Sequence, residues 1–133
     1  MINAISIALS GLTASVKRVE ASASNIANVS TTGALNPADG PAPYTPLTTT
    51  QKSVDGGGVR AEIVTTEPAF TPAFSPNSPF ANADGLIAAP NIDLATEAVN
   101  LKLAELTYKA NLQTIRTAEE MSDELLSTFD DRA

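Results

Sequence analysis

Several short stretches of this chain carry residues whose type and spacing could do chemistry. Asp55-Gly56-Gly57-Gly58 has the glycine density of a loop that cradles phosphate. Such a loop needs a following Lys-Ser/Thr and a helix to open. Neither follows here, so the glycines read as a hairpin turn. Asn82-Ala83-Asp84-Gly85 resembles part of a calcium loop. In the register of an EF-hand its first ligand position is Phe80 and its last Asn91, so the match fails. Glu62 and Glu67 could form a carboxylate pair for acid–base work, but nothing around them suggests a raised pKa or a sugar cleft. They read as solvated charges. Asn28-Val29-Ser30 fits the pattern of a glycosylation acceptor, and without a secretory leader it reads as a chance match.

Composition removes most remaining chemistry. The chain has no cysteine, histidine or tryptophan. Disulfides, thiolate chemistry, a His-containing metal site and a Ser-His-Asp triad are therefore excluded within it. No catalytic, cofactor-binding or metal-binding residue is expected, and no enzyme. The net charge of −7 disfavours nucleic acid, whose phosphates need a basic face, and adsorption to an anionic membrane. No run of 18 apolar residues is present, so no membrane insertion is expected. The N-terminus lacks a basic leader and an uninterrupted apolar block. If the protein leaves the cytoplasm, it is expected to do so uncleaved.

What remains is architecture. The 133 residues suit at most one ordinary domain, and aromatics make up only 5%, so a large, well-filled core is hard to build. All nine prolines and six of the seven glycines lie between Gly33 and Pro90. Proline breaks helices, so two proline-free flanks can each form a long helix around an irregular middle. The division expected is an N-terminal helix segment at 1–29, an irregular insert with a β-hairpin at 30–90, and a C-terminal helix segment at 91–133.

Near the N-terminus Ile2, Ile5, Leu9, Leu12, Val16, Val19, Ala23 and Ile26 alternate at spacings of three and four. That 3.5-residue repeat marks a helix with a lengthwise apolar seam. The spacing predicts a helix from about Asn3 to Asn28. The flanking positions are Ser6, Ala8, Thr13, Ser15, Glu20, Ser22 and Ala27, which are mostly small where a two-stranded coiled coil carries charges. Small flanks let several neighbours approach. The seam therefore serves the second helix alone, or other subunits as well, and the small flanks favour the latter. Serines, threonines and Gly11 weaken the isolated helix, which is expected to fray without its partners.

In the middle, a Thr-rich run from Tyr44 to Lys52 and the segment Val59–Val64 flank the glycine turn and predict a small hairpin. Prolines every three to four residues between Thr66 and Asn82 predict extended or polyproline-like chain, and Asp84-Gly85 predicts a turn. The second helix is expected from Asp93, whose carboxylate can cap it, to about Phe129. Its stripe comprises Leu94, Ala98, Leu101, Ala104, Tyr108, Asn111, Leu112, Ile115, Ala118, Ser122, Leu125 and Phe129. Asn111 within that stripe either fixes helix register as a buried amide or sits at the seam's edge. Glu119, Glu120, Asp123, Glu124, Asp130 and Asp131 oppose the helix dipole, so this end is expected to fray unless it meets a basic partner.

Ser24-Asn25-Ile26-Ala27-Asn28-Val29-Ser30-Thr31-Thr32-Gly33 resembles the S-N-[IL]-A-N-x-x-T signature of flagellar rod and hook proteins. Pro90-Asn91-Ile92-Asp93-Leu94 resembles the entry to their C-terminal helix, and Tyr108-Lys109-Ala110-Asn111-Leu112 their Y-x-A-N-hydrophobic element. The short insert, with Ser75–Gly85 before Pro90-Asn91, is similar to that of the short proximal-rod members. The chain departs from their pattern at Thr45–Thr50, where a basic stretch is usual, and in its acidic C-terminus.

The resemblance implies a non-enzymatic structural subunit of the bacterial flagellar basal-body rod, without cofactors. It implies export through the flagellar type III apparatus and stacking into a helical tube that carries torque across the periplasm. The partners implied are copies of itself, other rod subunits, the membrane-ring and export-gate junction, and the distal rod. The fold expected is mainly α, with two long terminal helices packed as a coiled-coil-like hairpin and a Pro/Gly-rich middle containing a small β-hairpin. The assembly residues expected are Ile5, Leu9, Leu12, Val16, Val19, Asn25, Ile26, Asn28, Leu101, Tyr108, Asn111, Leu112, Ile115 and Leu125. A soluble cytoplasmic helical adaptor is the alternative, and it predicts a folded monomer or dimer.

Overall fold

A computed structural model describes residues 2–130. Asp131 lies outside the described residues, as do the side chains of Ile2, Phe129 and Asp130. The elements run α1 (Ile2–Ala27), β1 (Leu47–Ser53), β2 (Val59–Thr65), β3 (Phe70–Phe74), β4 (Leu86–Pro90) and α2 (Leu94–Asp130).

The two proline-free flanks form the two long helices. Asp93 caps α2: its Oδ1 accepts from the Ala95 N–H at 2.9 Å and its Oδ2 from the Thr96 hydroxyl at 3.1 Å. These bonds, the Ala95 amide first, hold the Asp93 carboxyl below the usual carboxylate range. Because the folded pKa is lowered, the cap's contribution is complete above the usual Asp range and is lost as pH falls through the depressed value. The Ala95 amide shift, followed by NMR, is therefore expected to titrate in acid for the native chain. It should stay flat for Asp93→Asn, whose neutral amide still caps. A flat native profile would refute this assignment.

α1 and α2 run antiparallel. Gly11 faces Asn111, Ser15 Oγ lies 3.0 Å from Thr107 Oγ1, and Asn25 Nδ2 donates to Glu97 at 2.6 Å. Each step along α1 is matched by an equal step back along α2, so this register brings Ile2 opposite Glu120. The last ten residues of α2, Met121–Asp130, extend past the start of α1 by roughly 15 Å.

The β1–β2 hairpin pairs Leu47 with Thr65 through Ser53 with Val59. Its turn uses positive φ at Gly56, Gly57 and Gly58, a backbone state that glycine adopts without steric cost. A side chain at Gly58 would also reach 2.5 Å from Ser10 Oγ, so the tip presses directly on α1. The hairpin lies along α1 and is held by Val59 N–H to Ser10 Oγ (3.0 Å), Lys17 Nζ to the Ala61 carbonyl (2.7 Å) and Asn25 to Leu47.

Part of the proline-rich run is extended, as expected, but it is also paired. Phe70–Phe74 is a strand, paired antiparallel with Leu86–Pro90. Pro72 is tolerated because of parity. Asn91 N donates to Ala69 O and Ser75 N to Gly85 O, which makes the odd-numbered positions of β3 the hydrogen-bonded pairs. Pro72, opposite Ala88, falls on a pair that needs no donor. Ala88 instead exchanges both backbone bonds with Gly33, at 3.0 and 2.9 Å. The expected turn at Asp84-Gly85 is an Asx turn: Asn82 Oδ1 accepts from the N–H groups of Asp84 (3.0 Å) and Leu86 (2.9 Å).

Buried residues are small. They include Ala8, Ala14, Ala21, Ala61, Ala104 and Ala118 with Ser15, Ser22 and Asn25 around α1, and Gly33, Ala34, Ile87, Ala88 and Pro90 where the 33–43 loop meets β4. The largest fully buried side chain is Asn25.

Candidate assembly interface

α1 is packed on two sides through its small residues. Ala8, Gly11, Ser15 and Ser22 lie toward α2, and Ala14 and Ala21 are buried in the same helix alongside the hairpin. The heptad therefore does not form the seam between α1 and α2. At 100° per residue, its stripe is rotated roughly 120° from the centre of the buried face. Leu9 is 57% exposed, Val16 53% and Val19 41%, while Ile5, Leu12 and Ile26 are half-buried. Glycine, alanine and serine allow backbones to approach closely, so a small-residue face wins the internal contacts and the bulky face is left outside.

On α2, Leu101, Asn111, Leu112 and Ile115 are half-buried and Ala104 and Ala118 buried, so the middle of its expected stripe does face inward. Tyr108 is exposed beside α1's bulky stripe, and Leu125 is exposed on the overhang. Asn111 sits in the seam. Its side chain fills the space over Gly11, where a Cβ would come within 2.6 Å of its Oδ1, and its Nδ2 donates to the Thr107 carbonyl at 2.8 Å.

Val16 and Val19 of α1 with Ala104, Glu105, Tyr108 and Lys109 of α2 line a groove of about 310 Å³ whose accessible surface is apolar. Glu105 at its rim bonds both Lys102 and Lys109, and these bonds, with Lys102 first, hold its carboxyl down to about 2. All three side chains are largely exposed, so the ion pairs shape the rim's charge more than they stabilise the fold.

The Ser24–Gly33 segment does different work. Asn25 is 1% exposed and fully bonded. Its Nδ2 donates to the Leu47 carbonyl (2.7 Å) and to Glu97, and its Oδ1 accepts from the Leu47 N–H (2.8 Å) and the Tyr44 hydroxyl (3.1 Å). The Tyr44 hydroxyl also lies 2.9 Å from Ser24 Oγ. One amide thus ties α1, β1 and α2 together, inside the subunit rather than on its surface. Asn28 closes α1: its Nδ2 donates to the Ser24 carbonyl (2.9 Å) and its Oδ1 accepts from Thr31 Oγ1 (3.2 Å). At Gly33 a Cβ would overlap the Pro41 carbonyl oxygen and the Pro43 nitrogen, so only glycine fits the bridge to Ala88.

Sequence reasoning missed Tyr44, Leu47 and Glu97 as partners of Asn25. The available signal was that Gly11, Ser15, Ser22 and Asn25 share one helix face, which a large amide ends. Among the described residues, no helix is long and apolar enough to cross a membrane.

Residues 5–34 match the model for the flagella basal body rod protein family, and residues 83–128 match that for the C-terminal region of the flagellar basal body rod proteins FlgE, FlgF and FlgG. The chain is 34% identical to the flagellar basal-body rod protein FlgC of Yersinia enterocolitica, over 91% of this chain and 92% of that protein. It is 32% identical to FlgC of Salmonella typhimurium over the same shares of each chain. It is 27% identical to FlgC of Bacillus subtilis, covering 90% of this chain and 91% of that one. The two matched segments include most of α1 with its closing signature and most of α2, which together carry the small-residue seam and the exposed stripe.

Proposed function

The chain belongs to the flagellar basal-body rod protein family, close to FlgC, and from that premise we propose how its geometry serves a structural subunit of the proximal rod. The observation that carries the reading is the inversion of α1. Alanine, glycine, serine and one amide are inside, while Leu9, Val16 and Val19 are outside. A single subunit cannot bury that stripe, and exposed apolar surface of this kind marks a contact with another chain.

In this reading the chain works in three parts. Segments 1–29 and 91–133 carry α1 and α2, the stave that packs against other subunits, and 30–90 lies outside it and adds lateral contacts. Of the expected interface residues, Leu9, Val16, Val19, Tyr108 and Leu125 contact neighbours directly. Ile5, Leu12 and Ile26 border the same surface. Asn25, Asn28, Asn111 and the half-buried apolar residues of α2 hold its shape. Contacts between unlike surfaces build an open helical polymer. A subunit whose core is mostly alanine is also easily unfolded, which suits passage uncleaved through the narrow flagellar export channel into the periplasm-spanning rod.

The test is chemical composition. The chain is expected in purified, detergent-washed basal bodies and to be missing from those of a strain lacking its gene, which should not swim. Basal bodies complete without it would overturn the assignment.

A further inference from the structure

Among the described residues, the end of α2 past Glu120 has no facing helix within its own subunit. The inner stripe of α2 continues past Ala118 through Ser122 to Leu125, but the register of the helix pair ends opposite Glu120. Leu125 is therefore exposed, with Leu126 beside it. Around these leucines stand Glu119, Glu120, Asp123 and Glu124, all exposed. The overhang is thus a helix with an uncovered apolar face and strong negative charge.

The same subunit carries a complementary surface further back. Lys102, Lys109 and Arg116 are spaced by seven residues and form one exposed stripe on α2. Glu105 offsets part of that charge through its bonds to both lysines, and the stripe stays net positive. It borders the apolar groove between Val16 and Val19 of α1 and Tyr108 of α2. Charge and apolarity therefore occur side by side twice on this molecule, with opposite sign: basic around Lys102 and Lys109, acidic from Glu119 to Leu126, with Arg116 one turn before the acidic cluster.

We propose that the α2 overhang of one copy docks into the α1–α2 groove of a second copy, head to tail, with its carboxylates against Lys102, Lys109 and Arg116. This deepens the rod reading and rests on it. The contact joins unlike surfaces, so each copy offers one free groove and one free overhang, and the chain of contacts does not close on a pair. The overhang is short, and its contact is well below the area of a stable two-body interface. Isolated subunits therefore stay monomeric, and docking accumulates only where other rod contacts hold copies together.

The native chain contains no cysteine, so a cysteine pair reads this contact directly. In Leu125→Cys combined with Val16→Cys, the two positions of one chain lie roughly 28 Å apart along the helices. That is far beyond the ~7 Å Cα separation a disulfide tolerates. Oxidation of intact basal bodies is expected to give a ladder of dimers and higher species, and either single variant none. A doubly substituted chain that incorporates without a ladder overturns the proposal.

A second arm covers the case in which those cysteines block incorporation. Reversing Glu120, Asp123 and Glu124 to Lys is expected to lower incorporation on the order of tenfold to a hundredfold. Inverting the facing stripe in the same chain, with Lys102→Glu, Glu105→Lys, Lys109→Glu and Arg116→Glu, should restore it. Normal incorporation of the first variant, or no restoration by the second, also overturns the docking. Absence of the native chain from basal bodies is a separate outcome, and it removes the rod reading itself.

Discussion

Asn25→Leu is expected to lower the melting temperature of the isolated subunit by about 10 °C or more. The replacement fills the space but removes two donors and one acceptor from the centre of the molecule. The Leu47 N–H and carbonyl and one Glu97 oxygen lose their partner at once, and the Tyr44 hydroxyl is left with Ser24 Oγ alone. Each buried polar group left unpaired costs about 1–3 kcal/mol. Glu97 is only half-buried and can turn to water, so a net loss of about 3 kcal/mol is reasonable. That is a large share of the ~5–15 kcal/mol that holds an ordinary domain, and a core of alanines places this one toward the low end.

Asn25→Asp should be no better, since it keeps the acceptor but turns a carboxylate toward Glu97. Ser24→Ala, which removes only the neighbour of the Tyr44 hydroxyl, should cost much less. Thermal unfolding followed by circular dichroism at 222 nm decides the matter. A melting temperature unchanged by Asn25→Leu would mean that the amide does not hold the three elements together.

The same residue shows where sequence reasoning reached and where it stopped. The absence of proline outside 33–90 was enough to locate both helices to within a residue or two, and Asp93 and the glycine turn marked their elements by local chemistry. These signals are local, and local physics decides them. The β3–β4 ladder was hidden because proline density argues against strands. What rescues Pro72 is its parity against Ala88, a fact that exists only once the strands are paired.

The heptad shows a different limit. Ile5 to Ile26 was correctly seen as one apolar stripe, but periodicity reports a face and not its partner. The seam between the helices went to the face bearing Gly11, Ser15 and Ser22, because small residues permit the closest approach and the most backbone contact. The bulkiest face is left outside, and in the proposed rod it belongs to the assembly. Asn25, the largest fully buried side chain, is polar and is bonded by three elements at once.

That assignment of faces leads to the largest functional effect expected. Leu9→Asp with Val16→Asp should leave the subunit folded and abolish its incorporation. Both side chains are more than half exposed, Val16 on the open lip of the α1–α2 groove. Within the subunit, the double change therefore costs little beyond helix propensity, about 0.5 kcal/mol at each site. In the rod the balance reverses. Each lost apolar side chain forgoes about 1.5–3 kcal/mol of burial, and each carboxylate would have to be desolvated without a partner.

The loss recurs at every copy, so incorporation should fall below detection and the cells should not swim. The purified variant should melt close to the native temperature. Ala14→Asp provides the contrast: Ala14 is buried beside the hairpin, and a carboxylate there should collapse the fold before assembly is reached. Normal swimming by the Leu9→Asp, Val16→Asp strain would show that the stripe is not an interface. Unfolding of its purified subunit would show that the stripe belongs to the core after all, and the inversion of α1 would have to be abandoned.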